Sequence, residues 1–141
     1  MEICGRSSKN AELAKLAYGA NYDQVMEAPV TIALFTDTDL QKRARKIARV
    51  GGVKNFTDEQ LQYFMQNLPA EFARYDAQQT SDYLALNAGL VAMNLVLALT
   101  DQGIGTNIIL GFDKSKINEV LDIEERFRPE VLITVGYAAE K

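Results

Sequence analysis

Few residues in this chain could do chemistry, and their types narrow the field quickly. None of the 141 residues is a His, which excludes Ser/His/Asp and Cys/His triads and any His-ligated zinc or haem. Cys4 is the only cysteine, so no intrachain disulfide, thiolate cluster or C-x-x-C pair can form. A lone Cys in a short apolar run reads as a small core residue rather than a nucleophile. Lys42, Arg45, Lys46 and Arg49 share one helical face by their spacing. Such a face is either an anion site or a solvated surface, and a net charge of −4 favours the second. The same charge disfavours a broad nucleic-acid surface, which must displace counterions from phosphates. What remains is a glycine-bearing turn, Gly103-Ile104-Gly105-Thr106, followed by Ile108-Ile109-Leu110-Gly111-Phe112-Asp113. Taken alone, "LGFD" is a turn with a glycine before a helix that Asp113 could cap.

These residues need elements to hold them. Charged residues at 24% and hydrophobic ones at 48% are ordinary for a globular protein, and the length suits one domain over residues 1–141. The N-terminus "MEICGRSSKN" is acidic at position 2 and has no long apolar run, so it does not read as a signal peptide. A reducing, cytoplasmic setting fits. "MEIC" reads as part of a strand. "SSKNAELAKLAYG" reads as a helix capped by Ser8 or Asn10 and stopped at Gly19. "NYDQVMEA" adds a short helical turn, and Pro29 to Asp37 is a buried-type strand. "TDLQKRARKIARVGG" is helical. A further helix follows, with Thr57 and Gln60 as a capping box and Pro69 as an interruption. "GIGTNIIL" turns into a strand, Asp113 to Ile123 is an amphipathic helix, and "PEVLITVGYA" is a second buried-type strand. Strands and helices alternate, which requires crossovers and a layered α/β or α+β domain.

The stretch from Asp82 to Asp101 has no charged side chain between its ends, about the length that spans a bilayer. Asn87 and Asn94 argue against lipid, as do the acids at both ends and the absence of Lys or Arg anchors. Ser81, Ala85, Ala88 and Ala92 make a stripe of small residues with Gly89 beside it, and larger apolar residues fill the other faces. A helix apolar all round is a buried one. In so small a domain a partner subunit is one way to enclose it, which points to a homodimer with no membrane role.

Three segments in order, "AGLVAMNLVLALTDQGIGT", "NIILGFDKSKINEVLDI" and "PEVLITVGYAAEK", resemble the flavin-dependent nitroreductase family. Met93-Asn94-Leu95 matches that family's "QNL"-like helix end, Gly103 to Thr106 its "GxGT/S" turn, and Ile108 to Asp113 its "PIxGFD" strand end. Ile117 to Ile123 matches its "I/VxExLGL" helix, and Pro129 to Tyr137 its closing "PxxLIxxGY" strand. Upstream, "ELAKLAYGANYDQVMEAPVTIALFTD" is similar to the family's helix, connector and second strand.

The resemblance implies an α+β nitroreductase-like layered fold, with a central mixed sheet flanked by helices and a long buried central helix. It implies an FMN-dependent oxidoreductase, active as a homodimer, that passes hydride from NAD(P)H to flavin and then to a nitroaromatic, quinone or similar small-molecule acceptor. It places Ile109, Leu110 and Gly111 at the flavin, with Gly allowing the backbone close to the ring and an N–H stabilising charge on the reduced form. It implies no metal and no catalytic acid or base. The family's Arg-rich "RRSxRxY" segment, its "NxQPW" segment and its C-terminal tail have no counterpart here. Asn87 stands where many relatives have an acid, and Ile108 replaces the usual Pro. A truncated, non-catalytic dimeric module or a fragment of a longer enzyme is therefore the alternative expectation.

Overall fold

A computed structural model describes residues 2–4, 8–51 and 57–137. They fall into two compact units, residues 1–36 with 85–141 and residues 37–84. The first unit is built on a four-stranded sheet in the order β1-β2-β4-β3, with β1 Glu2–Cys4, β2 Val30–Asp37, β3 Gly105–Ile109 and β4 Phe127–Gly136. β1 pairs antiparallel with β2, Ile3 opposite Ile32. β3 pairs antiparallel with β4, Ile108 opposite Ile133. The four runs expected to be strands are strands. The last begins before the "PEVLITVGYA" segment because Phe127 and Arg128 already extend the ladder.

Side chains alternate across a strand, so β2 and β4 feed two cores. Ala33, partly buried Phe35 and Leu132 face one side. There they meet Leu13 and Ala14 of α1 (Ser8–Ala14), Val25 of α2 (Asn21–Glu27), and Ile117 and Leu121 of α6 (Ile117–Leu121). Ile32, Leu34, Val131 and Ile133 face the other side and meet Ala88 and Ala92 of α5 (Ala77–Asp101). Leu132 and Ile133 are adjacent in sequence, and both are fully buried, one in each core. The result is a helix–sheet–helix arrangement.

The second unit contains α3 (Leu40–Gly51), α4 (Asp58–Phe72) and the start of α5. Its core joins Leu40, Ala44, Phe72 and Leu84, with Tyr75 and Tyr83 packed edgewise and at a tilt around Phe72. The capping box is present. Thr57 accepts from the Gln60 amide at 3.3 Å, and the Gln60 side chain accepts from the Thr57 amide at 3.0 Å. Pro69 does not interrupt α4, which runs on to Phe72. Proline removes one ladder bond near the helix end, and Leu68 and Phe72 on either side of it are held in the core.

Other boundaries differ for equally local reasons. α1 ends at Ala14 rather than Gly19, because residues 15–17 turn away to pair Ala17 with Phe112. Asn10 is no cap. It is buried, and its amide donates to the Ala28 carbonyl at 3.3 Å. The Ser8 side chain lies outside the described residues, as do those of Cys4, Arg45 and Arg49. α6 begins at Ile117, not Asp113, and stops where Asp122 takes a left-handed φ of 56°.

The largest correction concerns α5. Its length and hydropathy suffice to cross a membrane, yet only 17% of its most apolar window is buried. Leu84, Ala88 and Ala92 form the covered stripe, whereas Leu86, Leu90, Val91, Met93 and Leu97 are exposed. The expected small-residue stripe holds at Ala88 and Ala92, but Ala85 is exposed. Among the described residues the sheet covers one side of the helix only.

Candidate functional site

The glycine-bearing strand end lies in the first unit, where two segments distant in sequence meet. β3 runs out at Ile109, whose side chain is buried in the core. Leu110 follows with 68% of its surface exposed, and then Phe112 is buried again at 3%. The chain therefore steps out to solvent for Leu110 and Gly111 and returns. Phe112 donates to the Leu110 carbonyl at 3.1 Å, which tightens this step.

Segment 16–21 clamps it in place. The Asp113 amide donates to the Leu16 carbonyl at 2.8 Å, and the Tyr18 amide donates to the Gly111 carbonyl at 2.9 Å. The Asn21 side-chain amide donates to the same carbonyl at 3.2 Å. Asn21 opens α2, and Gly19, with a left-handed φ of 56°, lets the chain reverse just before it. The Gly111 carbonyl is thus doubly engaged, while its N–H meets no acceptor among the described residues.

Gly111 is a glycine for a spatial reason. A Cβ built there would stand 2.8 Å from Asn21 Nδ2 and 4.0 Å from Tyr18 Cδ2. Any side chain must first displace the Asn21 amide. The next residue but one steadies the turn from the other side. Asp113 accepts from the Ser115 amide at 3.0 Å and from the Ser115 hydroxyl at 2.6 Å. These bonds, with Lys116 nearby, hold the Asp113 carboxyl below its ordinary value of 3.8. Asp113 therefore closes a turn three residues long instead of capping α6 directly.

The three residues singled out from sequence are contiguous but play different parts. Ile109 presents only its backbone, because its side chain is core. Leu110 offers an exposed apolar side chain, and Gly111 offers an uncommitted N–H. Sequence reasoning missed Leu16, Tyr18 and Asn21. The one local signal for them was Gly19 followed by Asn21 at a helix start. What the loop presents is aimed amide groups beside exposed apolar surface, with Tyr18 60% exposed. That suits holding the edge of a flat, polar-rimmed ring and polarising it. The ring end of an FMN would find a backbone donor and an apolar flank here. Among the described residues no group of three or more Cys, Asp or Glu could hold a metal ion.

Comparison with known proteins gives one answer throughout. The sequence profile described as "Nitroreductase family" matches residues 7–137. The chain is 60% identical over 133 residues to "Putative NAD(P)H nitroreductase Spy0809" of Streptococcus pyogenes, covering 94% of this chain and 66% of the relative. It is 30% identical over 131 residues to YodC of Bacillus subtilis, covering 92% of this chain and 63% of the relative. Among solved structures it is similar to a nitroreductase family protein from Streptococcus pneumoniae, with 80% identity, a TM-score of 0.89, and coverage of 99% and 70% of the two chains. A structure from Exiguobacterium sibiricum, solved in complex with FMN, aligns with a TM-score of 0.85 at 26% identity and covers 99% and 68%. The chain thus spans somewhat less than two thirds of the length of the curated relatives it matches.

Proposed function

The chain belongs to the nitroreductase family, and from that premise we propose that it acts as an FMN-dependent oxidoreductase. The observation that carries the reading is the clamped strand end. The N–H of Gly111 has no acceptor among the described residues, and its carbonyl is held by Tyr18 and Asn21. When bound, FMN supplies the chemistry, moving hydride from NAD(P)H to a nitroaromatic, quinone or similar acceptor. The chain's part is to hold the ring. The backbone at Ile109, Leu110 and Gly111 would hold the ring, with the Gly111 N–H as donor and the exposed Leu110 side chain excluding water from one flank. Asn21 keeps the donor aimed by fixing the peptide that carries it. No residue acts as acid or base in this reading.

The reading extends to a cytoplasmic homodimer. The exposed Leu86, Leu90, Met93 and Leu97 follow helical spacing along one side of α5, and a second copy is what this face accepts. An apolar stripe of this kind marks an interaction surface.

The test is the visible spectrum of the purified chain after incubation with FMN and desalting. Retained flavin bands, followed by NAD(P)H oxidation with a quinone or nitro acceptor, are the expected result. A chain that stays colourless supports the other reading, a folded dimeric module without flavin chemistry.

A further inference from the structure

β3 leads to the Gly111 turn at one end, and a second hollow opens at its other end. Gly105 to Asn107, the C-terminal end of α2, Pro29 and the last residues of β4 enclose a cavity of about 310 Å³. All of them belong to the first unit. Gly136 lets the Pro29 ring pack directly on the end of β4. A Cβ at that glycine would stand 3.0 Å from Pro29 Cδ and 3.3 Å from Pro29 Cγ.

The charge of the hollow is negative. None of its eleven lining residues is Lys or Arg, and Glu27 is its one carboxylate. Glu27 is exposed and pairs with no cation among the described residues. Asn107 Nδ2 donates to Gln24 Oε1 at 2.6 Å, which leaves the Asn107 side-chain oxygen to accept. Thr134 is buried, and its hydroxyl donates to the Asn107 carbonyl at 3.5 Å, so only its lone pairs are left. α2 stops at Glu27. The last carbonyls of a helix lack amide partners and form its negative end.

The remaining walls are carbon. Pro29 and Val135 give an aliphatic side, and Tyr137, 82% exposed, gives an aromatic ring. A bare metal ion gains nothing from such walls and asks for several oxygen ligands of high charge. Among the described residues no group of three acids is close enough to supply them. A carboxylate, an aromatic face and aliphatic carbon together complement an ammonium group on a short carbon chain.

We propose that this cavity binds a small aliphatic diamine in its protonated form. One ammonium group meets Glu27, the carbon stem lies along Pro29 and Val135, and the Tyr137 ring faces the cation. A hollow of about 310 Å³ holds on the order of ten non-hydrogen atoms, at the ~30 Å³ that a water takes in the liquid. A linear diamine is within that size. The cavity needs neither flavin nor nicotinamide for this, so binding here is independent of the oxidoreductase reading.

The probe is butane-1,4-diamine, titrated into the full chain and followed by amide NMR at constant ionic strength. Saturable shifts appear at Thr106, Asn107, Val135 and Gly136. Butane-1,4-diol, of the same length without charge, gives none, and neither does potassium chloride, a cation without a carbon stem. Glu27→Gln weakens the diamine about fivefold, as expected for an exposed charge-assisted pair. The double variant E27Q/Y137A weakens it by at least about tenfold, because the ring contribution is lost as well. Glu119→Gln, an exposed acid on α6, changes nothing. Glu27 and Tyr137 are both exposed, so the variants fold, which circular dichroism checks, and the comparison of diamine with diol needs no variant at all. No saturable shift with the diamine, equal shifts with the diol or potassium, shifts spread over other acidic surface, or a double variant within twofold of wild type overturns the proposal.

Discussion

Leu90→Asp is the substitution that weighs most on the proposed assembly. Leu90 sits on α5 with 60% of its surface exposed. Full burial of a leucine side chain contributes about 1.5–3 kcal/mol, so the exposed part leaves about 1–2 kcal/mol to be gained on association. A twofold interface counts every residue twice, which makes the loss about 2–4 kcal/mol per dimer. At 1.4 kcal/mol per decade this raises the dissociation constant roughly 30- to 700-fold. Burying the new carboxylates adds to that cost. Sedimentation equilibrium over a concentration series reads the shift directly, with circular dichroism checking that the variant is folded. A wild-type chain that stays monomeric at every concentration, or a folded variant that dimerises like wild type, refutes the reasoning. Leu86 and Leu97, exposed on the same helix, give shifts of the same sign.

Three further outcomes follow from local geometry. Thr57→Ala removes the N-cap acceptor of α4 and lowers stability by about 0.5–2 kcal/mol, read from the denaturant midpoint of the unit that holds α4. Ala88→Leu forces a larger side chain against Ile32, Leu34, Val131 and Ile133 and costs about 1–3 kcal/mol. Ala85→Leu, at an exposed position, leaves the melting temperature of the monomer nearly unchanged, so equal losses at both positions contradict the packing described. The lowered Asp113 carboxyl makes a contribution that is present above the ordinary carboxylate value of 3.8 and lost as pH falls through the residue's own lower value. Ser115→Ala removes the largest cause, so an NMR carboxyl titration shows the Asp113 midpoint moving up. A midpoint that stays put contradicts the assignment.

How much of this was legible in sequence depended on the range of the forces involved. β2 and β4 were readable because buried strands carry their own β-branched runs, and β3, largely exposed, because Thr106, Ile108 and Ile109 are β-branched. The Thr57–Gln60 box was readable because both partners lie within one turn. Asn10 misled because a capping residue and a buried amide look alike until Ala28, eighteen residues away, supplies the acceptor. Pro69 misled because its penalty is local while the packing of Leu68 and Phe72 that overrides it is not. α5 reads as buried on all sides because hydropathy reports what a helix needs, and the described residues meet that need on one side. At the candidate site Gly111 stood out by type. Its reason for being glycine, the amide of Asn21, lies ninety positions upstream, out of reach of any spacing argument.

That separation has a consequence for how the molecule is made. The clamp on Gly111 joins segments ninety residues apart. Other contacts of the same unit are as remote, with Thr36 donating to Glu130 across 94 positions and Lys9 to Leu121 across 112. Long loops must be closed before such contacts reward the chain, so structure of this kind forms late. On the ribosome residues 16–21 emerge long before their partners and wait with their amides bound to water. The unit holding residues 37–84 has its contacts close in sequence and can condense in the meantime. The cradle at Gly111 thus forms only once both of its segments have been made, and any ligand it takes must arrive after that.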